Sequence, residues 1–371
     1  MLTEDYSNTM NIIGLFPLTG NGGIASWTKK YLATFPDNEY HIFPVNVSPD
    51  GRHDHGFYRR IISSFRASRR IKKELKRIIK SQKVDILHTT TSGNLGSLRD
   101  IMVARLCRKH GIKTIMHCRY GCIPEDYNKK NLIGWLLRKS TSLFDQIWVL
   151  DNRTYQFLRS IKSLSDKVFL TPNSIEVKEA LDSKPKEYQR IAFIGNLIPT
   201  KGLYELTEAA MKSNVRLDII GPGPEEVVKH LKGIIGDNLG KTGFIHGRLP
   251  NPDAVKFMHE VDIIALPTYY PSEAFPISIL EAMSLTKMVI SCPRAAVPDM
   301  LTDMDGNPCG MLVPEKSVQG IVDAINWCQT HKDEADNMCR KAYEKVYYCY
   351  RTDVVYDIYR SNYTRLIGHN K

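Results

Sequence analysis

The chain has 371 residues, 42% hydrophobic, 25% charged and 9% aromatic, with 24 glycines and 19 prolines scattered along it, which excludes collagen-like, low-complexity and disordered classes and fits about two domains. Its 51 Lys and Arg against 40 Asp and Glu give +11, and the excess is one-sided: residues 1–180 hold 29 basic and 16 acidic side chains, residues 181–371 hold 22 and 24. The basic half points to a polyanion, whether nucleic acid, an anionic membrane or a phosphorylated substrate.

With no apolar run of about 18 residues, and neither basic flank nor cleavage site at the amino terminus, a cytoplasmic chain is expected. The eight cysteines form no C-x-x-C pair, which fits reduced thiols. His117, Cys118 and Cys122 have no matching fourth-ligand cluster, so no metal site is expected.

Short β-branched segments alternate with helical stretches throughout. In the first half, strands are predicted at 11–16, 40–45, 86–89, 113–117, 146–150 and 168–170. Gly20, Gly22 and Gly23 fall in the turn after the first of these, where backbone N–H groups can approach a phosphate or sugar closely. Residues 57–83 carry eleven Lys or Arg and one Glu, with Phe57, Ile61, Phe65, Ile71, Leu75, Ile78 and Ile79 at helical spacing. This is an amphipathic helix about 40 Å long. Its cationic face is either simply solvated or attached to anionic lipid, and no nucleic-acid-reading motif accompanies it. His117 ends the fourth strand, where a side chain facing a ligand cleft belongs, and Asp126 lies close enough in sequence to assist an acceptor hydroxyl.

The polar stretch 183–189 reads as a linker. Beyond it, strands are predicted at 190–194, 216–220, 242–245, 263–266, 288–291 and 310–313. Alternating strands and helices mean parallel sheets covered on both faces. Ligands of such sheets lie beyond the carboxyl ends of the strands, so two α/β units would face each other across a cleft. Pro276 begins the helix ISILEAMSL, whose free N–H groups form an anion site. Lys201 offers a positive charge, and Glu273 and Glu281 offer acceptors for hydroxyls.

Gly195 with Lys201-Gly202, Gly221 with Gly223, and Pro271-Ser272-Glu273-Ala274-Phe275-Pro276 leading to Glu281-Ala282-Met283 resemble the motifs of glycosyltransferase family 4. The resemblance is strong in the second half and rests, in the first, on the glycine turn, the histidine and strand order. It implies an α/β GT-B fold of two facing Rossmann-like, doubly wound domains: an acceptor-binding domain at 1–182, a nucleotide-sugar-binding domain at 183–348, and a helix at 349–371 returning to the first domain.

It also implies a retaining transferase without a cofactor, whose donor is a UDP-, GDP- or similar nucleotide sugar. Glu281 would bind the ribose, Glu273 the hydroxyls of the donor sugar, and the backbone at Phe275, Pro276 and Ile277 the diphosphate. Gly22, Gly23, Gly195, Asn196, Lys201 and Gly221 would complete the donor site, with His117 near the transferred sugar. Two positions depart from the pattern. Asn196 stands where the family commonly has Arg, a loss that Arg248 could offset, and Ala274 stands where Gly is usual.

The expected function is transfer of a sugar to a glycan acceptor, lipid-linked, in surface polysaccharide synthesis, at a membrane contacted through the basic helix. The alternatives are a soluble enzyme acting on a small acceptor, a sugar-nucleotide epimerase, and an inactive sugar-nucleotide binder.

Overall fold

The computed structural model describes residues 9–20, 22–48, 57–177 and 186–368, with the backbone alone for 57–65 and 251–252. The side chains of Phe57, Ile61 and Phe65 of the expected apolar stripe, and residues 183–185 of the expected linker, lie outside what is described. The chain divides into two compact units, Met1–Thr171 with Tyr356–Lys371, and Pro172–Val355.

The first unit contains β1 (Met10–Phe16), α1 (Gly23–Thr34), β2 (Tyr40–Asn46), α2 (Phe57–Ser81), β3 (Ile86–Thr91), α3 (Gly96–Lys109), β4 (Lys113–Cys118), α4 (Ile123–Asn128), α5 (Leu132–Leu143), β5 (Gln146–Val149), α6 (Asn152–Arg159) and β6 (Val168–Leu170). The second contains β7 (Arg190–Ile194), α7 (Leu203–Lys212), β8 (Arg216–Ile220), α8 (Glu225–Ile235), β9 (Gly243–Gly247), α9 (Asn251–His259), β10 (Ile263–Leu266), α10 (Ile277–Ser284), β11 (Met288–Ser291), α11 (Val297–Met300), β12 (Met311–Leu312), α12 (Val318–Thr330) and α13 (Lys332–Lys345). α14 (Thr352–Gly368) begins in the second unit and ends in the first.

All twelve predicted strands form. They build two parallel six-stranded sheets, ordered β2-β1-β3-β4-β5-β6 and β12-β11-β10-β7-β8-β9. Each order reverses once, between β1 and β3 in the first sheet and between β7 and β10 in the second. At such a switch point the loops leaving adjacent strands diverge and open a crevice at the carboxyl edge.

Strand periodicity sorts the first unit into two cores. Ile13, Leu15, Leu87, Met116, Ile147 and Val149 point to one face, where they meet Ile71, Leu75 and Ile78 of α2, Val103 of α3 and Leu137 of α5. This leaves Arg66, Arg69, Lys72, Lys73, Lys76, Arg77 and Lys80 of α2 exposed. Phe16, His88, His117 and Trp148 point to the other face, among Trp27 and Tyr31 of α1 and Tyr359 and Tyr363 of α14.

The second half of the predicted linker proves to be integral to the second unit. Tyr188 is fully buried with its hydroxyl donating to Asp336 at 2.5 Å, and Lys186 pairs with the same carboxylate at 3.3 Å. A phenol that finds a buried acceptor packs inside, whatever the polarity of the residues around it.

Candidate active site

The loops at the second switch point lock together through backbone atoms. After β7, Gly195 N donates to Ile220 O, and Leu197 N to Pro222 O at 2.8 Å. Gly221 has φ +147°, and a Cβ there would stand 1.8 Å from Gly195 O. Gly202, at φ +75°, would meet Pro267 O at 2.2 Å. These two positions therefore require glycine, for close approach and for backbone conformation alike. Tyr269 N donates to Thr200 O, tying the loop after β10 to the loop after β7.

The loop into α10 is held from three sides. Buried Asn173 donates through Nδ2 to Phe275 O at 2.8 Å, Ala296 N donates to Ala274 O, and Arg294 donates to Pro271 O at 3.3 Å. The Phe275 ring packs edge-on against Tyr350. α10 then starts at Pro276 without a side-chain cap, so no capping side chain takes up its first N–H groups. Lys201 Nζ lies 3.2 Å from Glu273 Oε2, both side chains largely buried, and Gly195 lies beside the ammonium. Glu281, half-exposed, sits one turn into α10.

Gly195, Lys201, Gly221, Glu273, Phe275, Pro276, Ile277 and Glu281 thus all belong to three interlocked loops and the helix that follows them. Asn196, in the first of these loops, is exposed. Arg248 is also exposed and follows Gly247, whose carbonyl accepts from Gly221 N, so it borders the second loop. Sequence reasoning missed Asn173. Nothing in the pattern around a lone Asn before the second sheet marks it as the clamp of a loop a hundred residues later.

In the first unit, Gly22 caps α1 in an extended conformation, and both Gly22 and Gly23 are exposed with open space where a Cβ would stand. The protein's own packing does not require glycine there, and the gap leaves the start of α1 accessible. Asp126 is buried, with Lys129 Nζ at 2.6 Å and the Cys122 thiol against its other oxygen. It serves a local ion pair.

His117 differs most from expectation. Instead of facing outward, it is completely buried, with Nδ1 3.2 Å from His88 Nε2 and Nε2 3.2 Å from an Arg119 nitrogen. His88 Nδ1 continues to Tyr363 Oη at 2.6 Å, and Tyr363 to Tyr31 Oη at 2.7 Å. The cause is strand alternation, which turns His117 into the aromatic core. A guanidinium only donates, so His117 Nε2 must accept and its proton sits on Nδ1. That proton fixes His88 as an acceptor at Nε2 and a donor at Nδ1, and Tyr363 then donates to Tyr31.

Burial, reinforced by Arg119, lowers the His88 pKa to about 3. Burial, Arg119 and His88 together hold His117 well below the ordinary imidazole value. Both rings are neutral. Arg119, the second residue the sequence reading missed, follows β4 directly and stacks on Trp27 at 4.2 Å. Burial lowers its pKa to about 10, with Tyr359 opposing the shift.

Among the described residues no group of three or more His, Cys, Asp or Glu is placed to hold a metal ion, and no helix is long and apolar enough to cross a membrane.

Residues 175–345, nearly all of the second unit, match the family model of the glycosyl transferases, group 1. The chain is 22% identical over 218 residues to O-antigen chain mannosyltransferase C of Escherichia coli, covering 56% of this chain and 57% of that one. It is 27% identical over 150 residues to the D-rhamnosyltransferase WbpZ of Pseudomonas aeruginosa, covering 40% and 38%. The chain thus spans between a third and three-fifths of the length of the curated relatives it matches.

Among solved structures, the sucrose-phosphate synthase of Thermosynechococcus elongatus superposes with a TM-score of 0.74 at 14% identity, over 97% of this chain and 100% of the other. Anabaena HepE in complex with UDP gives 0.72 at 15%, over 96% and 100%. The fold is the two-domain α/β GT-B fold expected from the sequence.

Proposed function

We propose that the protein is a retaining glycosyltransferase of surface polysaccharide synthesis, moving a sugar from a nucleoside diphosphate to a glycan carried on a lipid. The observation that supports this reading is the Lys201–Glu273 pair set among interlocked backbone loops just before the uncapped start of α10, the helix that carries Glu281. The group 1 match over the same residues and the relatives named for O-antigen and rhamnose transfer support it. UDP bound to HepE supports a nucleoside diphosphate as the donor's leaving group.

In this reading the N–H groups of Ile277 and Ser278 and the Lys201 ammonium meet the diphosphate, Glu281 accepts from the ribose hydroxyls, and Glu273 accepts from the donor sugar. The barrier falls because negative charge growing on the departing diphosphate meets donors already in place, each worth on the order of a hundred- to a thousandfold in rate. Glu273 has a double use. It neutralises Lys201 in the empty site, and with the donor bound it keeps the ammonium aimed while its free oxygen engages the sugar.

In the first unit, His117 would act near the transferred sugar as the sequence implies, its Nε2 held by the Arg119 guanidinium. Residues 1–182 hold the acceptor, residues 349–371 return to that part of the chain, and the exposed cations of α2 rest on the anionic inner face of the cell membrane. Incubation with radiolabelled UDP-glucose, UDP-galactose or GDP-mannose and lipid-extracted acceptor tests the reading. Label should pass into a glycolipid with one donor and with the anomeric configuration kept. Transfer with inversion, or hydrolysis alone with every donor, contradicts it.

A further inference from the structure

Four of the large apolar side chains left exposed in the first unit cluster by topology. Leu95 and Leu98 stand at the start of α3, 40% and 52% exposed, and Leu132 and Trp135 at the start of α5, 60% and 55% exposed. α3 and α5 pack directly against each other. α3 follows β3 directly and α5 follows β4 by way of α4, and each leads back to the start of the next strand of the parallel sheet, so both begin towards its carboxyl edge. α2 lies on the same face, shares their core, and begins at the same edge. The segment before Trp135 reads Lys129-Lys130-Asn131-Leu132, with both lysines exposed and the Lys129 ammonium shared with Asp126 at 2.6 Å. An apolar tip rimmed by cations is the side-chain arrangement that interfacial segments use, where an aromatic ring sits at headgroup level and basic groups meet lipid phosphates.

We infer that the starts of α3 and α5 form a shallow membrane-insertion tip, with Leu98, Leu132 and Trp135 entering the headgroup and upper acyl region of an anionic bilayer while α2 holds the same surface by charge. The occupant is a lipid surface and not another protein because the apolar tip is continuous with a cationic flank. Aligned lysines and arginines would repel a second copy of this basic unit. Two independent signals also solve a physical problem. Charge alone is screened within about 10 Å at 0.1 M salt, and a small apolar patch alone holds weakly. Insertion at this edge directs the carboxyl ends of the first sheet, where its ligand belongs, at the lipid. The inference deepens the membrane part of the proposed function and rests on it.

Trp135 is its own reporter. Of the four tryptophans, Trp27 and Trp148 are buried and Trp327 is half-buried. The full-length protein is titrated with vesicles of one-third phosphatidylglycerol in phosphatidylcholine brominated along its acyl chains. Tryptophan emission should shift to the blue and be quenched at saturation. Trp135→Phe should bind equally while losing most of the quenching. Leu132→Ser with Trp135→Ser should weaken vesicle binding about tenfold at 0.1 M NaCl and abolish what remains at 0.5 M.

Absence of quenching at saturation overturns the proposal, as does wild-type binding by the double Ser variant. So does self-association without vesicles that the double Ser variant abolishes. Nucleoside diphosphate affinity, measured without vesicles, should be unchanged in every variant. Its loss in the wild type would instead count against the transferase reading.

Discussion

Lys201 and Glu273 set up a competition. Their 3.2 Å ion pair holds the ammonium in a largely buried position, and a diphosphate entering the crevice exchanges part of that interaction for two anionic groups. Charge-assisted hydrogen bonds contribute about 1.5–3 kcal/mol, so Lys201→Ala should weaken nucleoside diphosphate binding about 10- to 100-fold in calorimetry. Glu281→Ala should weaken a ribonucleotide and leave inorganic diphosphate unaffected. The buried histidines make a different kind of prediction. Both have folded pKa values below the unfolded imidazole value of about 6.5, so the unfolded chain takes up protons that the folded chain refuses. Their contribution is complete above pH 6.5 and falls as pH drops towards the folded values. Each histidine costs about 1.4 kcal/mol per pH unit over that range. Urea denaturation at pH 7, 6 and 5 should show this acid slope, and His88→Gln, keeping a donor and an acceptor in place, should flatten it.

At the scale of elements, much was legible in the sequence. Every strand appeared because each is a short apolar run between turn residues, and α2 appeared because its cations and aliphatics separate onto two faces. The interlocked loops were legible for a similar reason, since Gly202 and Gly221 are fixed by local backbone demands and Lys201 by its pairing with Glu273, which leave a mark in spacing. What could not be read were relations set by burial. The orientation of His117 depends on which face of β4 meets α1 and α14, and Asn173 acts on a loop far along the chain. Gly221→Ala tests the loop argument: left-handed strain and the clash with Gly195 should cost about 3 kcal/mol in urea unfolding and remove donor binding together. Substitution of Arg69, Lys72, Lys73 and Lys76 by Gln should leave the melting temperature within a degree or two, because those side chains are exposed, yet release the protein from anionic vesicles in a sedimentation assay.

For the whole molecule, charge and chemistry divide along the chain. The second unit, without the first unit's excess of cations, has its candidate donor groups at one switch point, few and held by backbone. The basic first unit has a sealed aromatic and histidine core beneath Arg119 on one face, and exposed cations with an apolar tip on the other. On the proposed reading, its excess of charge serves a lipid surface and not the donor site. The most direct test of the central claim is thermal unfolding of the wild type and of Lys201→Ala in the presence of UDP, GDP and their sugar conjugates. A ligand at 100 times its dissociation constant adds about 2.7 kcal/mol, so one nucleoside diphosphate should raise the wild-type midpoint by several degrees and leave Lys201→Ala nearly unmoved. No stabilisation of the wild type by any of them, or equal stabilisation of both proteins, would contradict a donor site at the β7 and β10 loops.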